Sequence, residues 1–510
     1  MSEYKLHHKN ISFANEIKED FGSLISYKNI WINHPISYKD RLGWIEISSH
    51  INKSIKLCKD VFDGVSTEFN PSSVVFIGMG GSIQTGKVLN QISLNNKYQL
   101  FFIDSTSPKD VNSVRDKIDL LNTIFIFMSK SGATLETTKI MNFFIKELAL
   151  EGELDFGDRF IALTDTGTPL EKFALERKFL KVINTPKNIG GRFSSSTPFG
   201  VFPATFMDDV LNPFENNYFW DLERIQEKCL ALTSILKNSY DNYDGILYLN
   251  IPEEINQMGI WLEQLIAEST GKSGKGIIPL INNKNDIRCP KISIINKAAR
   301  KNDKYNEGEL IINLDKNTIF EDMYIWQLSI SILCKYMSVF PFDEPDVKKS
   351  KINTETILKK YDDIQKLSMP YSGDDINNML SKNIATQVLY INLYLSENEK
   401  INNCLIKLKE KLNSIHNINV VTGFGPRYLH SVGQLQKGGT KDAWSLFFYD
   451  DKLTNSYSKK NNYKDLSHTF KAQMLGDFNA LKELEINTYL VNIDSNKPNP
   501  FDKIMDAIKE

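Results

Sequence analysis

The stretch Val74-Val75-Phe76-Ile77-Gly78-Met79-Gly80-Gly81-Ser82 decides the fold class. A short, unbroken apolar run ends in a Gly-rich turn and opens a helical pattern. The unit recurs downstream. Leu100–Ile103 ends in Asp104-Ser105-Thr106, and Thr123–Met128 ends in Ser129-Lys130-Ser131-Gly132-Ala133-Thr134. Phe160–Leu163 ends in Thr164-Asp165-Thr166-Gly167, and Leu180–Ile183 leads to Asn188-Ile189-Gly190-Gly191-Arg192. Helical patterns lie between most of these runs, Leu135–Leu148 being the clearest. Nearly continuous apolar runs alternating with helices predict an α/β fold with a doubly wound, mainly parallel sheet. Ligands of such sheets sit at the carboxyl ends of the strands, which here are loaded with Gly, Ser and Thr.

The rhythm resumes at Gly245–Asn250, Gly276–Leu280, Lys291–Ile295 and Leu310–Leu314, with a helix over about 257–269. A long helix near 320–340, helices around 374–396 and 400–415, and strands Asn419–Val421, Ala443–Tyr449 and Asn487–Ile493 follow. Polar stretches such as Asn282–Asp286 and Thr454–Asn462 read as surface loops. The expected organisation is a helical lead-in over 1–70 and a first α/β domain over 71–215. A second α/β domain with helical additions follows over 216–495, then a C-terminal helix over 496–510.

At 510 residues, two or three domains are the expectation. A net charge of -2, from 61 basic and 63 acidic residues, argues against a nucleic-acid specialist. It leaves room for a small anion held by local cations. The 5 cysteines are scattered with no Cys-x-x-Cys pair, which fits a reducing compartment and signals no metal ribbon. Met1 to Asn10 is polar, unlike a signal peptide, and His7-His8 in it are discounted as ligands. The apolar stretch Met323 to Phe340 is interrupted by Gln327 and Lys335, so it reads as a buried helix rather than a membrane span. The expected address is the cytosol.

Each motif has a chemical and a plain reading. Gly78–Ser82, with Asp104 at the end of the next strand, suggests a dinucleotide site. That fingerprint fails because its third Gly falls on Ile83. A loop for a small phosphate or sugar, or a plain turn, remains. Ser129–Thr134 clusters three hydroxyls and one ammonium before a helix N-terminus, a fit for a phosphate dianion or a simple capping loop. Gly190-Gly191-Arg192 offers close backbone approach and a fixed cationic fork, or a structural ion pair. Gln264 and Glu268, four apart, share one helix face; a lone helical Glu is ordinarily surface. Pro341–Val347 reads as a helix start with Asp343 as N-cap, placing Glu344 and Lys351 on one face. His430 and Gln434 follow a strand in the Gly-rich segment Gly425–Gly439.

Together these segments resemble the glucose-6-phosphate isomerase family, over roughly 75–440. The likeness rests on Ser129–Thr137, Asn188–Gly200, Gln264–Gly276, Pro341–Lys351 and Gly425–Gly439. The last is similar to a family branch reading RFLHSTGQLHKGG. The resemblance implies two sugar-isomerase domains and reversible isomerisation of glucose 6-phosphate and fructose 6-phosphate, in glycolysis and gluconeogenesis, without metal or cofactor. It implies Glu268 as the base between C1 and C2, Arg192 at the enediolate, Lys351 near the ring oxygen and Gln264 as a ligand contact. It implies a phosphate loop of Ser129, Lys130, Ser131 and Thr134, with Gly80, Gly81, Ser82 and Gly191 on the sugar side. His430 is implied as the ring opener, oriented by Glu136. In better-known members that His falls between the base and the lysine segment, and this chain has no His between 268 and 351. Glu344 stands where the family usually has Gln, and Ala133 replaces a usual Thr. The expected partner is a small phosphosugar, with no nucleic acid and no membrane, and a homodimer is implied. The alternatives are a non-catalytic phosphosugar sensor and another phosphosugar aldose–ketose isomerase.

Overall fold

The computed structural model describes residues 2–6, 14–28, 30–31, 41–94, 96–215, 218–282, 289–296, 309–360, 376–383, 386–416, 418–458 and 461–508. His7, His8 and positions 283–286 of the expected Asn282–Asp286 loop lie outside them. The described strands are β1 (Glu3–Leu6), β2 (Ser73–Gly78), β3 (Gln99–Ile103), β4 (Thr123–Met128), β5 (Phe160–Asp165) and β6 (Lys181–Thr185). They continue with β7 (Ile246–Asn250), β8 (Ile278–Ile281), β9 (Lys291–Asn296) and β10 (Glu309–Leu314). The last four are β11 (Val388–Tyr394), β12 (Asn419–Phe424), β13 (Ala443–Tyr449) and β14 (Thr488–Asn492).

They form three sheets, in the orders β3-β2-β4-β5-β6, β1-β10-β9-β7-β8 and β12-β11-β13-β14. All pairings are parallel except β1 with β10. The expected α/β fold with doubly wound parallel sheets is the one observed. The later half differs from the expected single unit, because its strands divide between two sheets. The β8 edge of one packs beside the β12 edge of the other without a hydrogen-bonded ladder.

Alternation along the first sheet explains its two covered faces. Val74, Phe76, Ile124, Ile126 and Ile161 join one core with Leu249, Ile292, Ile312 and the Ile319–Tyr336 helix. Val75, Ile77, Phe125, Phe127 and Phe160 point the other way, into a core that includes the Leu135–Leu150 helix. That is why each strand reads as one continuous apolar run. The stretch after Met323 is a buried helix, and no described helix is long and apolar enough to cross a membrane.

Four expectations are corrected. The helix expected over 374–396 is a short helix, Ile376–Asn383, followed by β11. Val388-Leu389-Tyr390-Ile391-Asn392-Leu393-Tyr394 is buried throughout and hydrogen-bonds to strands on both sides. An apolar run covered on all sides has no period that separates strand from helix. Second, the polar stretch from Thr454 begins inside the Asp451–Ser458 helix, where Asp450 Oδ1 accepts from Leu453 N at 2.9 Å. Third, Asp343 does not cap the next helix, which starts at Lys348. Its carboxylate pairs with Lys272 at 2.8 Å, so Glu344 lies in the loop before the helix and shares no helical face with Lys351. Fourth, the N-terminal segment is not helical alone, since β1 joins the second sheet.

Candidate active site

In the first sheet the connections from β2 run to β3 on one side, and from β4 through β5 to β6 on the other. The crevice beyond the carboxyl ends of β2 and β4 is therefore the topological switch point. The Gly78–Ser82 turn and the Ser129–Thr134 loop both open onto it. Gly80 adopts φ +51, which suits Gly, and a Cβ there would meet Gln264 Nε2 at 2.8 Å and His430 Cβ at 3.2 Å. A Cβ on Gly81 would sit 2.1 Å from the Gly191 carbonyl oxygen. The two Gly-rich loops thus interlock backbone to backbone, bringing Gly80, Gly81, Ser82, Gly191 and Arg192 together.

Glu268 and Gln264 come from the Asn256–Thr270 helix, which is buried over nearly its whole length. Gln264 Nε2 donates to Glu268 Oε2 at 3.0 Å. Arg192 Nη1 lies 3.4 Å from Glu268 Oε1 and 3.3 Å from Glu344 Oε2. Its other nitrogens are saturated. Nε donates to Ser269 Oγ at 3.0 Å, and Nη2 donates to the carbonyls of Pro341 and of Asp343, the latter at 2.9 Å. Burial pushes the Glu268 pKa up, and the Arg192 charge pulls it back. The Glu344 carboxylate pushes up again, while the Gln264 hydrogen bond and His430 lower it; the net is above the ordinary carboxylate value.

His430 ends a short 3-10 turn, Arg427–His430, after β12. Its Nε2 lies 3.0 Å from Glu136 Oε1. Glu136 is buried in the first turn of the Leu135–Leu150 helix. Burial favours its neutral form, but the charge and hydrogen bond of His430, with Lys351 nearby, outweigh that and hold its pKa below the usual range. A cavity of about 150 Å³ lies between these groups. Its lining includes Ser131, Thr134, Glu136, Lys351, His430 and Gln473. Lys351, exposed near the start of the Lys348–Lys360 helix, makes no ion pair with another described residue.

Not every expected residue faces this cavity. Lys130 is turned away: its Nζ donates to both Asp165 oxygens and to the Pro186 carbonyl, each at 2.8 Å. The ammonium that the sequence placed in the anion loop instead anchors that loop to β5 and the segment after β6. Ser129 is buried, and its hydroxyl meets Thr134 Oγ1 at 2.7 Å. Asp104, the acid considered for a ribose, pairs with Lys87 at 2.8 Å. Gln434 is structural, donating to the Gly271 carbonyl at 2.8 Å while its Oε1 accepts from Asp346 N at 3.0 Å. Sequence reading missed Gln473, whose Nε2 donates to Glu136 Oε1 at 2.7 Å. Nothing local marks a lone Gln within the Lys464–Glu483 helix.

Fold and site together define an α/β protein of parallel sheets, with a buried carboxylate–guanidinium pair beside a His–Glu pair. Residues 45–277, a little under half of the chain, match the family model described as phosphoglucose isomerase. This span includes Gly80, Ser129, Arg192, Gln264 and Glu268; Lys351 and His430 lie beyond it. A glucose-6-phosphate isomerase of Methanocaldococcus jannaschii is 32% identical over 218 residues, 41% of this chain and 53% of the relative. One of Campylobacter jejuni is 26% identical over 266 residues, 50% of this chain and 63% of the relative. The chain thus spans between about half and two thirds of the length of these curated relatives. In structure it resembles a hypothetical protein of Thermus thermophilus, with TM-score 0.57 and 19% identity over 68% of this chain and 95% of that one. It also resembles a glucose-6-phosphate isomerase of Chlamydia trachomatis, with TM-score 0.56 and 17% identity over 72% of this chain and 89% of that one. At those identities the likeness is one of fold.

Proposed function

We propose that this chain interconverts glucose 6-phosphate and fructose 6-phosphate by an enediolate proton transfer, as an aldose–ketose isomerase of sugar metabolism. The observation that carries the reading is the buried Glu268 carboxylate, 3.4 Å from Arg192 Nη1, in a helix that packs against the Gly-rich turn touching His430. Aldose–ketose isomerisation needs a base whose carboxylate is not pacified by water and a cation where negative charge develops.

In this reading Ser131, Thr134 and the start of the Leu135–Leu150 helix receive the phosphate. Lys351 faces the same cavity, and its ammonium adds positive charge there. His430, steadied by Glu136, works with Lys351 on the pyranose. One removes the proton on O1 and the other delivers a proton to the ring oxygen, so the C1–O5 bond breaks without net proton change. Glu268 takes the proton from C2, the O2 proton passes to O1 while Arg192 stabilises the enediolate oxygens, and Glu268 returns its proton to C1 as the carbonyl forms at C2. Lys130 is left out of the phosphate contacts, because its ammonium is already held by Asp165.

We also propose that the protein is a homodimer. We place the protein in the cytosol, a reading supported by its five free thiols. The test is conversion of fructose 6-phosphate read through a glucose-6-phosphate dehydrogenase, without added metal. The Glu268→Gln variant is expected to lose turnover by several orders of magnitude while still binding the sugar phosphate. Near-normal turnover in that variant would exclude Glu268 as the base. Binding without turnover in the parent chain would favour the phosphosugar sensor.

A further inference from the structure

The ring-opening pair, Lys351 and His430, sits on two separate elements, and one buried carboxylate touches both supports. Asp477 lies in the Lys464–Glu483 helix and has no exposed surface. Its Oδ1 accepts from Ser350 Oγ at 2.7 Å, directly before Lys351. Its Oδ2 accepts from Tyr428 Oη at 2.5 Å, two residues before His430. Lys437 Nζ, also without exposed surface, closes the arrangement at 2.7 Å from Oδ1.

The same helix face continues the bracket. Gln473 shares that face with Asp477, one turn earlier at i−4, and Gly476, the residue before Asp477, abuts the Lys348–Lys360 helix. Gln473 Nε2 donates to Glu136 Oε1, the group that holds the His430 ring, and its Oε1 accepts from Thr106 Oγ1, both at 2.7 Å. A Cβ on Gly476 would sit 2.3 Å from Thr354 Oγ1 and 2.7 Å from Thr354 N, so the two helices approach as closely as backbones allow. An ion pair withdrawn from water is weak evidence for stability, because desolvation offsets the attraction. Here the Lys437 ammonium, 2.7 Å from Oδ1, holds the Asp477 carboxylate between its two hydroxyl donors.

We propose that Asp477 is a positioning residue that sets Lys351 and His430 against each other across the cavity, so that both reach the sugar ring together. The inference rests on the isomerase reading. It goes beyond that reading by assigning to the Lys464–Glu483 helix the alignment of the ring-opening step alone. Glu268 and Arg192 stand on other elements and do not depend on it.

The test deletes one hydroxyl on each side of the carboxylate. Ser350→Ala removes the support next to Lys351, and Tyr428→Phe the support next to His430. Asp477→Asn is a third variant, and because it risks misfolding the two hydroxyl deletions carry the decision. Ring opening is read by the rate of α/β anomer interconversion of glucose 6-phosphate, followed by NMR exchange. Integrity of the remaining site is read by calorimetric affinity for 5-phosphoarabinonate, an open-chain mimic of the enediolate. Each folded variant is expected to lose about tenfold or more in anomer interconversion and to keep its affinity for the mimic within about threefold. Interconversion within twofold of the parent, or a parallel loss of mimic affinity, overturns the positioning role. A parent chain that binds the mimic but turns nothing over overturns the isomerase reading instead, and this role with it.

Discussion

Arg192 Nη1 is divided between two carboxylates, Glu268 at 3.4 Å and Glu344 at 3.3 Å. The two differ in environment. Arg192 and Glu268 are nearly enclosed, with side chains 5% and 11% exposed, whereas the Glu344 side chain is 44% exposed. Glu344 is one of the groups that raise the Glu268 pKa, after burial and against Arg192, Gln264 and His430. A base works only when deprotonated, so a raised pKa moves the acid limb of the rate profile to higher pH. Glu344→Gln removes a negative charge next to Glu268. The acid limb of kcat is expected to move to lower pH, as measured by pH–rate profiles of parent and variant. An unmoved or rising limb would show that Glu344 does not tune the base. The pairing of Gln264 with Glu268 was legible in the sequence because four residues is one helical turn. The fate of Lys130 was not, because its partner Asp165 belongs to another strand.

Among elements, the interlocked Gly-rich loops show how a turn becomes a site. Gly81 and Gly191 read alike in sequence, but the structure separates them. A Cβ on Gly81 would collide with backbone atoms of Gly191, the nearest at 2.1 Å, whereas a Cβ on Gly191 meets nothing within 4 Å. Gly81→Ala is expected to force the loops apart, costing about 1–3 kcal/mol of stability along with most of the activity. Gly191→Ala is expected to fold with nearly unchanged Tm and to raise KM by filling space beside the sugar. Thermal melts with steady-state kinetics distinguish the two, and equal destabilisation would contradict the interlock. The strand runs of the first sheet were legible because short apolar runs alternated with helical segments. Strand β11 was not, because a run buried on all sides carries no period.

Across the whole molecule, charged groups tie the first sheet to the later half. Arg427, beside the His430 turn, reaches Asp104 at the end of β3 at 3.7 Å and Glu397 at 2.7 Å. Nearby, Glu263 Oε1 accepts from Ser431 Oγ at 3.0 Å, with Lys409, Arg427 and Glu397 as its charged neighbours. Burial pushes the Glu263 pKa up to about 7, above its ordinary value of 4.5. Between those values the folded chain holds a proton that the unfolded chain has released. This carboxyl therefore contributes a stability loss that grows as pH rises from about 4.5 to about 7 and is complete above that. Glu263→Gln, neutral at every pH, keeps an acceptor for Ser431. Its stability relative to the parent is expected to rise by on the order of 2 kcal/mol between pH 5 and pH 8. Urea unfolding at both pH values measures this, and a difference independent of pH would refute it.

By itself the sequence determined the α/β class, the parallel strands of the first sheet and the neighbourhood of the site at their carboxyl ends. Those features follow from local patterning, in which apolar runs, helical periods and Gly-rich turns are written in adjacent residues. It also marked Glu268, Arg192, Lys351 and His430 as candidates. Only the tertiary structure decided which cation faces the cavity, that the later strands divide between two sheets, and that Gln473 and Asp477 stand behind the His430 and Lys351 supports. The contacts that settle those matters join residues well separated in the chain, from Lys130 with Asp165, 35 positions apart, to Ser350 with Asp477, 127 apart, and Glu136 with Gln473, 337 apart. Hydrogen bonds and ion pairs between such distant residues leave no period in the chain, so they exist only once the core has packed.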